Sequence, residues 1–396
     1  MKFKKIWAAI LSSAMIASAG VSAFTATVYA EDYEDYDSEE KTEDYEDESA
    51  GTEANEAEEV ENKVKTTEIS VRDIQSELDK NGKYIFKSGK TYILDHTLYI
   101  SSNQTIKAKG ATIKCAAGAV RNYGTKKNYN SASNIKIIGG KWISTSKTGY
   151  DKSSFQFVHA KNITLKNMTI KNTNYSGHSI ELIACKNVKV TGCKITPLGK
   201  AKSGSVEEQI QIDMASPSTA PTIESKLQNG ATCQNIKIKN TTVTGCRAVC
   251  ANISMVDGDS YKKKFHRNVV IDNCKFTGKV AEGLALWNVI GINVKNSTVI
   301  SNASKTAESH HSDGLCIQMF GTAPSDMSSK TINLTGNTIK GGEDGFRIWS
   351  QSSSKFGHLY MKNNKCYSKN GSSHALVAST AVCTRITDSN NGKYGW

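Results

Sequence analysis

The chain has 396 residues, of which 38% are hydrophobic and 22% charged, with 50 Lys and Arg against 38 Asp and Glu. Beyond the N-terminal apolar run there is no second apolar stretch of about 18 residues, so no transmembrane domain is expected. No cysteine–histidine spacing suggests a zinc site, although the chain holds ten cysteines.

In chain order, residues 1–30 come first. Lys2, Lys4 and Lys5 precede an apolar run from Ile6 to about Ala23, and Val28-Tyr29-Ala30 supplies small residues for cleavage after Ala30. This predicts a signal peptide and a secreted, extracellular protein. Ser12, Ser13, Ser18 and Ser22 dilute the run below a good spanning helix.

Residues 31–65 form a second segment. From Glu31 to Glu61 there are 17 acidic residues and one lysine. Such a block repels itself and has little apolar surface to bury, so it is expected to be disordered. With both leading segments set aside, residues 62–396 hold 46 basic and 21 acidic residues, a net charge of +25. A domain this basic fits an anionic partner such as a polyuronate, a wall polymer, nucleic acid or another acidic surface. A solvated basic face is the plain alternative.

The third segment, 66–396, is repetitive. Val71 to Asp79 is amphipathic and is ended by Asn81-Gly82, predicting a short helix. Then "NITLKNMTIKNT" from Asn162, "NVKVTGCKIT" from Asn187, "NIKIKNTTVTGC" from Asn235 and "TINLTGNTIKGG" from Thr331 share one pattern of alternating apolar residues. A second family lies between them: "HSIELIA" from His178, "EQIQIDMA" from Glu208, "EGLALWN" from Glu282, "DGLCIQMF" from Asp313 and "DGFRIWS" from Asp344. Alternation means strands with one buried face, and interleaved families with one shared period mean successive coils of a solenoid. We therefore expect an all-β parallel β-helix of about nine coils, its open end covered by the helix. Asparagine at the corners tolerates positive φ and can stack its amides from coil to coil. Cysteines recurring in one repeat slot, such as Cys193 and Cys274, are expected as small buried stacking residues, with a Cys246–Cys250 bridge left open.

Stacked coils lie roughly 4.8 Å apart, so equivalent residues form columns. The second family would place Glu181, Gln211, Cys250, Ala285, Cys316 and Arg347 in one outward column. Ile183, Asp213, Asn252, Trp287, Gln318 and Trp349 would form another. His178, Glu208, Arg247, Glu282, Asp313 and Asp344 would stand at the turn before each strand. Carboxylates on consecutive coils raise one another's pKa and sit at the separations used by glycosidases. An acid before glycine also serves as a simple turn cap. Asp213 is on an outward strand position where no turn needs it. Trp287 and Trp349 suit sugar stacking or packing under a loop. Arg347 suits a substrate carboxylate, and His310 and His311 are candidate proton donors or ligands. Neighbouring carboxylates leave calcium open, with "DGD" at Asp257 to Asp259 a weak hint.

The helix, the stretch "GKTYIL…LYISSNQTIKAKGATI" and the Asn-led coils resemble the right-handed parallel β-helix proteins of the pectin-lyase-like superfamily. "SHHSDGLCIQMFG" and "EDGFRIWS" are loosely similar to the histidine-glycine and arginine-isoleucine motifs of polygalacturonase-type glycoside hydrolases. That family carries an Asn-Thr-Asp strand and an Asp-Asp pair. Here "QID" at Asp213 and "EGL" at Glu282 stand nearest, with no Asp-Asp and no Gly-His-Gly. "GHSIEL" and "EEQIQID" more closely resemble a group of secreted β-helix proteins with "GHxIE" followed by "EAIQID", which implies that His178, Glu181, Glu208 and Asp213 meet on neighbouring coils.

These readings predict an enzyme cleaving an anionic, uronate-containing polysaccharide. Asp213, Glu208, His178 and Asp313 are the catalytic candidates. Glu181, Arg247, Glu282, Trp287, His311, Asp344, Arg347 and Trp349 are the substrate-binding candidates. A hydrolase is preferred to a lyase because no lysine or arginine stands clearly beside an aspartate cluster in the outward columns. The alternative is a non-catalytic, adhesin-like binder of such a polymer. No cofactor is required and no metal residue is assigned, nucleic acid is not the expected partner, and a monomer is expected.

Overall fold

The structure, a computed structural model, describes residues 70–116, 118–144, 154–172, 178–197, 207–304 and 312–396. The predicted signal peptide, the acidic segment, His310 and His311 lie outside the described residues.

Alternation in the sequence becomes alternation in burial. In Lys186–Thr191, Val188 and Val190 point inward while Lys189 is exposed. Strands of this kind stack in parallel register one coil on, as in Val188↔Ile236 and Val190↔Ile238. Three all-parallel sheets result. The first begins at Lys83–Ile85 and the second at Thr91–Leu94, each with eleven described strands. The third begins at Leu98–Tyr99 and has ten. The inward Ile, Val, Leu and Phe of all three form one continuous core.

The corners are built by asparagine. Asn134, Asn162, Asn187, Asn235 and Asn268 hold φ between 55° and 59°, in the left-handed region that asparagine enters at low cost. Each donates its side-chain amide to the asparagine one coil before: Asn162 to Asn134 at 2.9 Å, Asn187 to Asn162 at 3.0 Å, Asn235 to Asn187 at 2.8 Å and Asn268 to Asn235 at 2.8 Å. A second, buried ladder runs beside it. The backbone N–H groups of Cys274, Ser297, Asn337 and Asn364 donate in turn to side chains of Ser297, Asn337, Asn364 and Asn391. Cys193 and Thr241 extend this slot downward. All ten cysteines are buried and none is in a disulfide, so Cys246 and Cys250 form no bridge, and the thiols act as small packing groups.

The helix spans Val71–Asn81 and buries Val71, Ile74 and Leu78 over the open end of the core. Ser70 caps its start by accepting from the Asp73 N–H, and Gly82 at φ 63° ends it. Gln75 donates to Tyr99 O and accepts from Tyr99 N, both at 2.8 Å, so one side chain pairs the free edge of the third sheet. Among the described residues no helix is long and apolar enough to cross a membrane.

Candidate functional site

The third sheet aligns the expected columns. Gln156, Glu181, Gln211, Cys250, Ala285, Cys316 and Arg347 are paired strand to strand in one register. Ile183 pairs with Asp213, and Trp287, Gln318 and Trp349 follow one another higher up. Glycine sets the corner beneath the acids. A side chain at Gly283 or Gly314 would strike the backbone carbonyl oxygen of Ile300 or Lys340, in strands of the second sheet, at 2.7 and 2.6 Å. This close approach fixes Glu282 and Asp313 at the start of their strands.

The turn column is a connected network rather than a row of separate caps. His178 Nδ1 lies 2.7 Å from Glu208 O and 3.8 Å from Glu208 Oε2. Arg247 bridges coils, contacting Glu208 Oε1 through Nη1 at 2.5 Å and Glu282 Oε2 through Nε at 2.7 Å. Burial works against the Arg247 charge, but Glu282 and Glu208 more than offset it, so its pKa is raised. Higher up, Asp313 Oδ1 accepts from Asp344 N at 3.3 Å, and Asp344 Oδ1 meets His374 Nδ1 at 2.9 Å. Arg347 approaches Asp344 at 3.8 Å and Glu343 at 4.0 Å. Arginines therefore stand among the carboxylates, contrary to the expectation that favoured a hydrolase over a lyase.

Among the described residues two carboxyl groups are fully buried with one oxygen lacking a hydrogen-bond partner: Asp213 Oδ2 and Asp313 Oδ2. Burial raises the Asp213 pKa well above the usual range, and Glu181 and Glu208 add to the rise. Thr219 and the Met214 N–H, which donates to Oδ1 at 2.9 Å, oppose it. Burial likewise raises Asp313, with Asp344 and Glu282 adding and Arg347 opposing. Burial also raises Asp344, while His374 and Arg347 pull it back toward the charged form.

The lower half of this face is closed. Gln156 Nε2 donates to Glu181 at 2.7 Å and to Thr222 at 3.1 Å, and His159 Nε2 lies 2.8 Å from Leu227 O. Ala215, Ala220 and Leu227 pack there on Val158 and Ile183. Asp213 is 0% exposed and Glu208 6%. The upper half is more open: Glu343, Arg347, Trp349, Trp287 and Phe320 are half-buried. Phe320 stands edge-on between the two tryptophans, at 5.7 Å from Trp287 and 6.3 Å from Trp349. The Arg247 guanidinium lies 5.1 Å from the centre of the Trp287 ring, and that of Arg347 5.5 Å from Trp349.

Glu343, Phe320 and His374 were not singled out from sequence. His374 opens its rung as His178 does, which was the available signal. The "DGD" stretch does not gather ligands: Asp257 accepts from Ser218, while Asp259 starts a separate short helix. Among the described residues no group of three or more His, Cys, Asp or Glu is placed to hold a metal ion. An open hollow of about 790 Å³ beside the capping helix, near Gln75, His96 and Tyr99, contains none of the candidate residues.

No family model and no curated protein sequence matches the chain. Solved structures do. The surface adhesin PfbA of Streptococcus pneumoniae is 16% identical with a TM-score of 0.53, over 83% of this chain and 93% of that one. A hyperthermoactive exopolygalacturonase from Thermotoga maritima is 11% identical with a TM-score of 0.50, over 82% and 88%. Together with the three parallel sheets, these place the described chain in the right-handed parallel β-helix fold.

Proposed function

We propose that the chain is a secreted hydrolase of an anionic, uronate-bearing polysaccharide, acting as a monomer without an obligatory cofactor at the acid column of the third sheet. One observation carries this reading. Asp313 is a fully buried carboxyl group with a raised pKa, beside Asp344 and Arg347, on the coil between those of the half-buried Trp287 and Trp349. A carboxyl kept protonated is what glycosidic cleavage requires of its acid, whereas a lyase needs an unprotonated base.

Asp313 would give its proton to the glycosidic oxygen, and the leaving sugar departs with that proton. Asp344, whose pKa burial raises and His374 and Arg347 partly pull back, would attack the anomeric carbon as the carboxylate. Water then cleaves the glycosyl ester and returns a proton to Asp313. Carboxyls on adjacent coils, roughly 5 Å apart, match the retaining arrangement. Asp213, with Glu181 and Glu208 near it, belongs to a second carboxyl cluster in the closed half, where His178 stands beside Glu208.

The burial of Asp213, Glu208 and, equally, Asp313 favours a second reading, a non-catalytic binder of the same polymer. Its fold neighbours include both an enzyme and an adhesin, and fold alone does not choose between them. The test is release of reducing ends from polygalacturonate and alginate. Asp313→Asn and Asp344→Asn should each lower it by about 10³-fold or more with polymer binding retained, and Asp213→Asn reports on the closed cluster. Unsaturated products would establish a lyase. No cleavage of any polymer by the unaltered chain would leave the binder.

A further inference from the structure

Many outward lysines in the lower coils of the first two sheets alternate in a way that neither the core nor the acid column requires. In one outward column of the first sheet, Lys107, Lys166, Lys239, Lys295 and Lys362 occupy alternate coils, with Ile138, Thr191, Asp272 and Thr335 between them. In the neighbouring column Lys83, Lys136 and Lys189 occupy the coils that the first column skips, with Thr105 and Thr164 between; the alternation ends there, because Lys237 stacks directly on Lys189. The second sheet repeats the scheme: Lys114 and Lys171 in one column, Lys141 and Lys194 in the other, again one coil out of step. The lower coils thus carry a checkerboard of lysines on two adjoining faces.

Repulsion favours this spacing in the lower coils without enforcing it throughout, since Lys161–Lys186 and Lys189–Lys237 are stacked directly. Lysines stacked directly would lie roughly 4.8 Å apart, and skipping a coil doubles that to about 9.6 Å, near a Debye length at physiological salt. Repulsion does not explain what fills the gaps. Asp272 shows the internal solution, lying 3.1 Å from Lys239 and 3.6 Å from Lys295. Lower down the gaps hold threonine and isoleucine, and none of the strands of these two sheets from Lys83 to Gly245 contains an acid. Lys107, Lys136, Lys166, Lys189 and Lys194 are exposed. The positive charge of this face is left for something outside the fold.

We propose that this checkerboard is a second binding face, which holds a linear polyuronate lying along the solenoid axis, away from the acid column. The choice of a uronate polymer rests on the reading of the third sheet above; the face itself does not. In an extended two-fold polyuronate, successive carboxylates point to alternate sides of the chain. Two lysine columns one coil out of step offer a cation to each side in turn. Threonines in the gaps supply hydroxyl groups between the charges.

The experiment measures binding of polygalacturonate and of alginate to the full chain across a salt series, independent of any cleavage. Lys136→Gln, Lys166→Gln and Lys189→Gln together should weaken binding at low salt by about tenfold or more and flatten its salt dependence. A control with the same net charge, Lys263→Gln, Lys264→Gln and Lys279→Gln, takes exposed lysines outside the columns and should bind nearly as the unaltered chain does. Equal loss in both variants would mean that net charge alone binds, and overturns the proposal. Unchanged binding in the column variant overturns it, as does failure of the unaltered chain to bind either polymer. If the column variant loses binding but the chain cleaves nothing, the hydrolase reading fails and this one stands. If the chain is an enzyme, the variant should lose kcat/KM on polymer and keep it on a short oligomer.

Discussion

Arg247 and Glu282 sit one coil apart on the outer face of the third sheet, joined by a 2.7 Å contact from Nε to Oε2, with each side chain 2% exposed. Glu208 closes the other side of the guanidinium, so one cation neutralises two carboxylates in a place that excludes water. Arg247→Met should therefore leave two buried charges without their cation and cost about 3–5 kcal/mol. Replacing all three together, with Glu208→Gln and Glu282→Gln, should recover most of that loss, because uncompensated charge is the larger penalty. Urea unfolding measures both. A triple variant no more stable than the single one would mean that packing of the arginine stem, not charge pairing, sets the cost.

The asparagine ladder separates into two contributions at Asn187, which has φ 56° and joins Asn162 and Asn235 through its amide. Asn187→Gly keeps the left-handed corner and removes only the amide contacts, at about 1 kcal/mol. Asn187→Ala removes both and adds about 1–2 kcal/mol for forcing a β-carbon into that region. Equal destabilisation by both variants, measured by thermal unfolding, would assign the whole effect to the amide ladder.

The fold was legible because a β-helix writes each coil with the same period-2 grammar, and because Asn recurs at the corner in rungs spaced 25 to 48 residues apart. Column membership followed, since Glu181 and Gln211 are fixed in register once Ile180 and Ile210 are known to point inward. The closure of the face was not legible. It depends on Thr222 reaching Gln156, 66 residues away, through a segment with no repeat pattern. The cross-coil role of Arg247 was hidden for a similar reason: its partners lie 39 and 35 residues off in opposite directions. The lysine checkerboard escaped because each lysine alone is an ordinary outward strand residue. Only the register between coils of unequal length shows the alternation.

The two tryptophans should behave differently despite sharing a column. Trp349 is half-buried, edge-on to Phe320 and beside Arg347. Trp349→Ala should raise KM for polymer several-fold with kcat little changed, the mark of lost uniform binding. Trp287 lies against the buried Arg247 guanidinium, so Trp287→Ala should lower stability by about 3 kcal/mol. Equal changes in KM from both, with no change in unfolding midpoint, would contradict this division.

Acid sensitivity should come from His266. Its ring is fully buried, its Nδ1 accepts from Cys233 N at 3.0 Å, and its Nε2 donates to Asn252 O at 2.7 Å. This pattern fixes the neutral tautomer, because a proton on Nδ1 would face the Cys233 N–H. Burial lowers its pKa from 6.5 to about 4. Between those values the unfolded chain binds a proton that the folded chain refuses, so stability falls as pH drops from 6.5 toward 4. The loss approaches about 3 kcal/mol at the lower end, at about 1.4 kcal/mol per pH unit. Asp213 and Asp313 act with the opposite sign. Their raised pKa values add stability at low pH that disappears as pH rises above 3.8 toward their folded values. Comparing the unaltered chain with His266→Gln isolates the histidine: the difference in unfolding free energy between them should shrink steadily on acidification from pH 6.5. A difference independent of pH would mean that the imidazole titrates alike in the folded and unfolded chains, and a growing one that it is charged in the folded chain; either outcome makes this bonding pattern wrong.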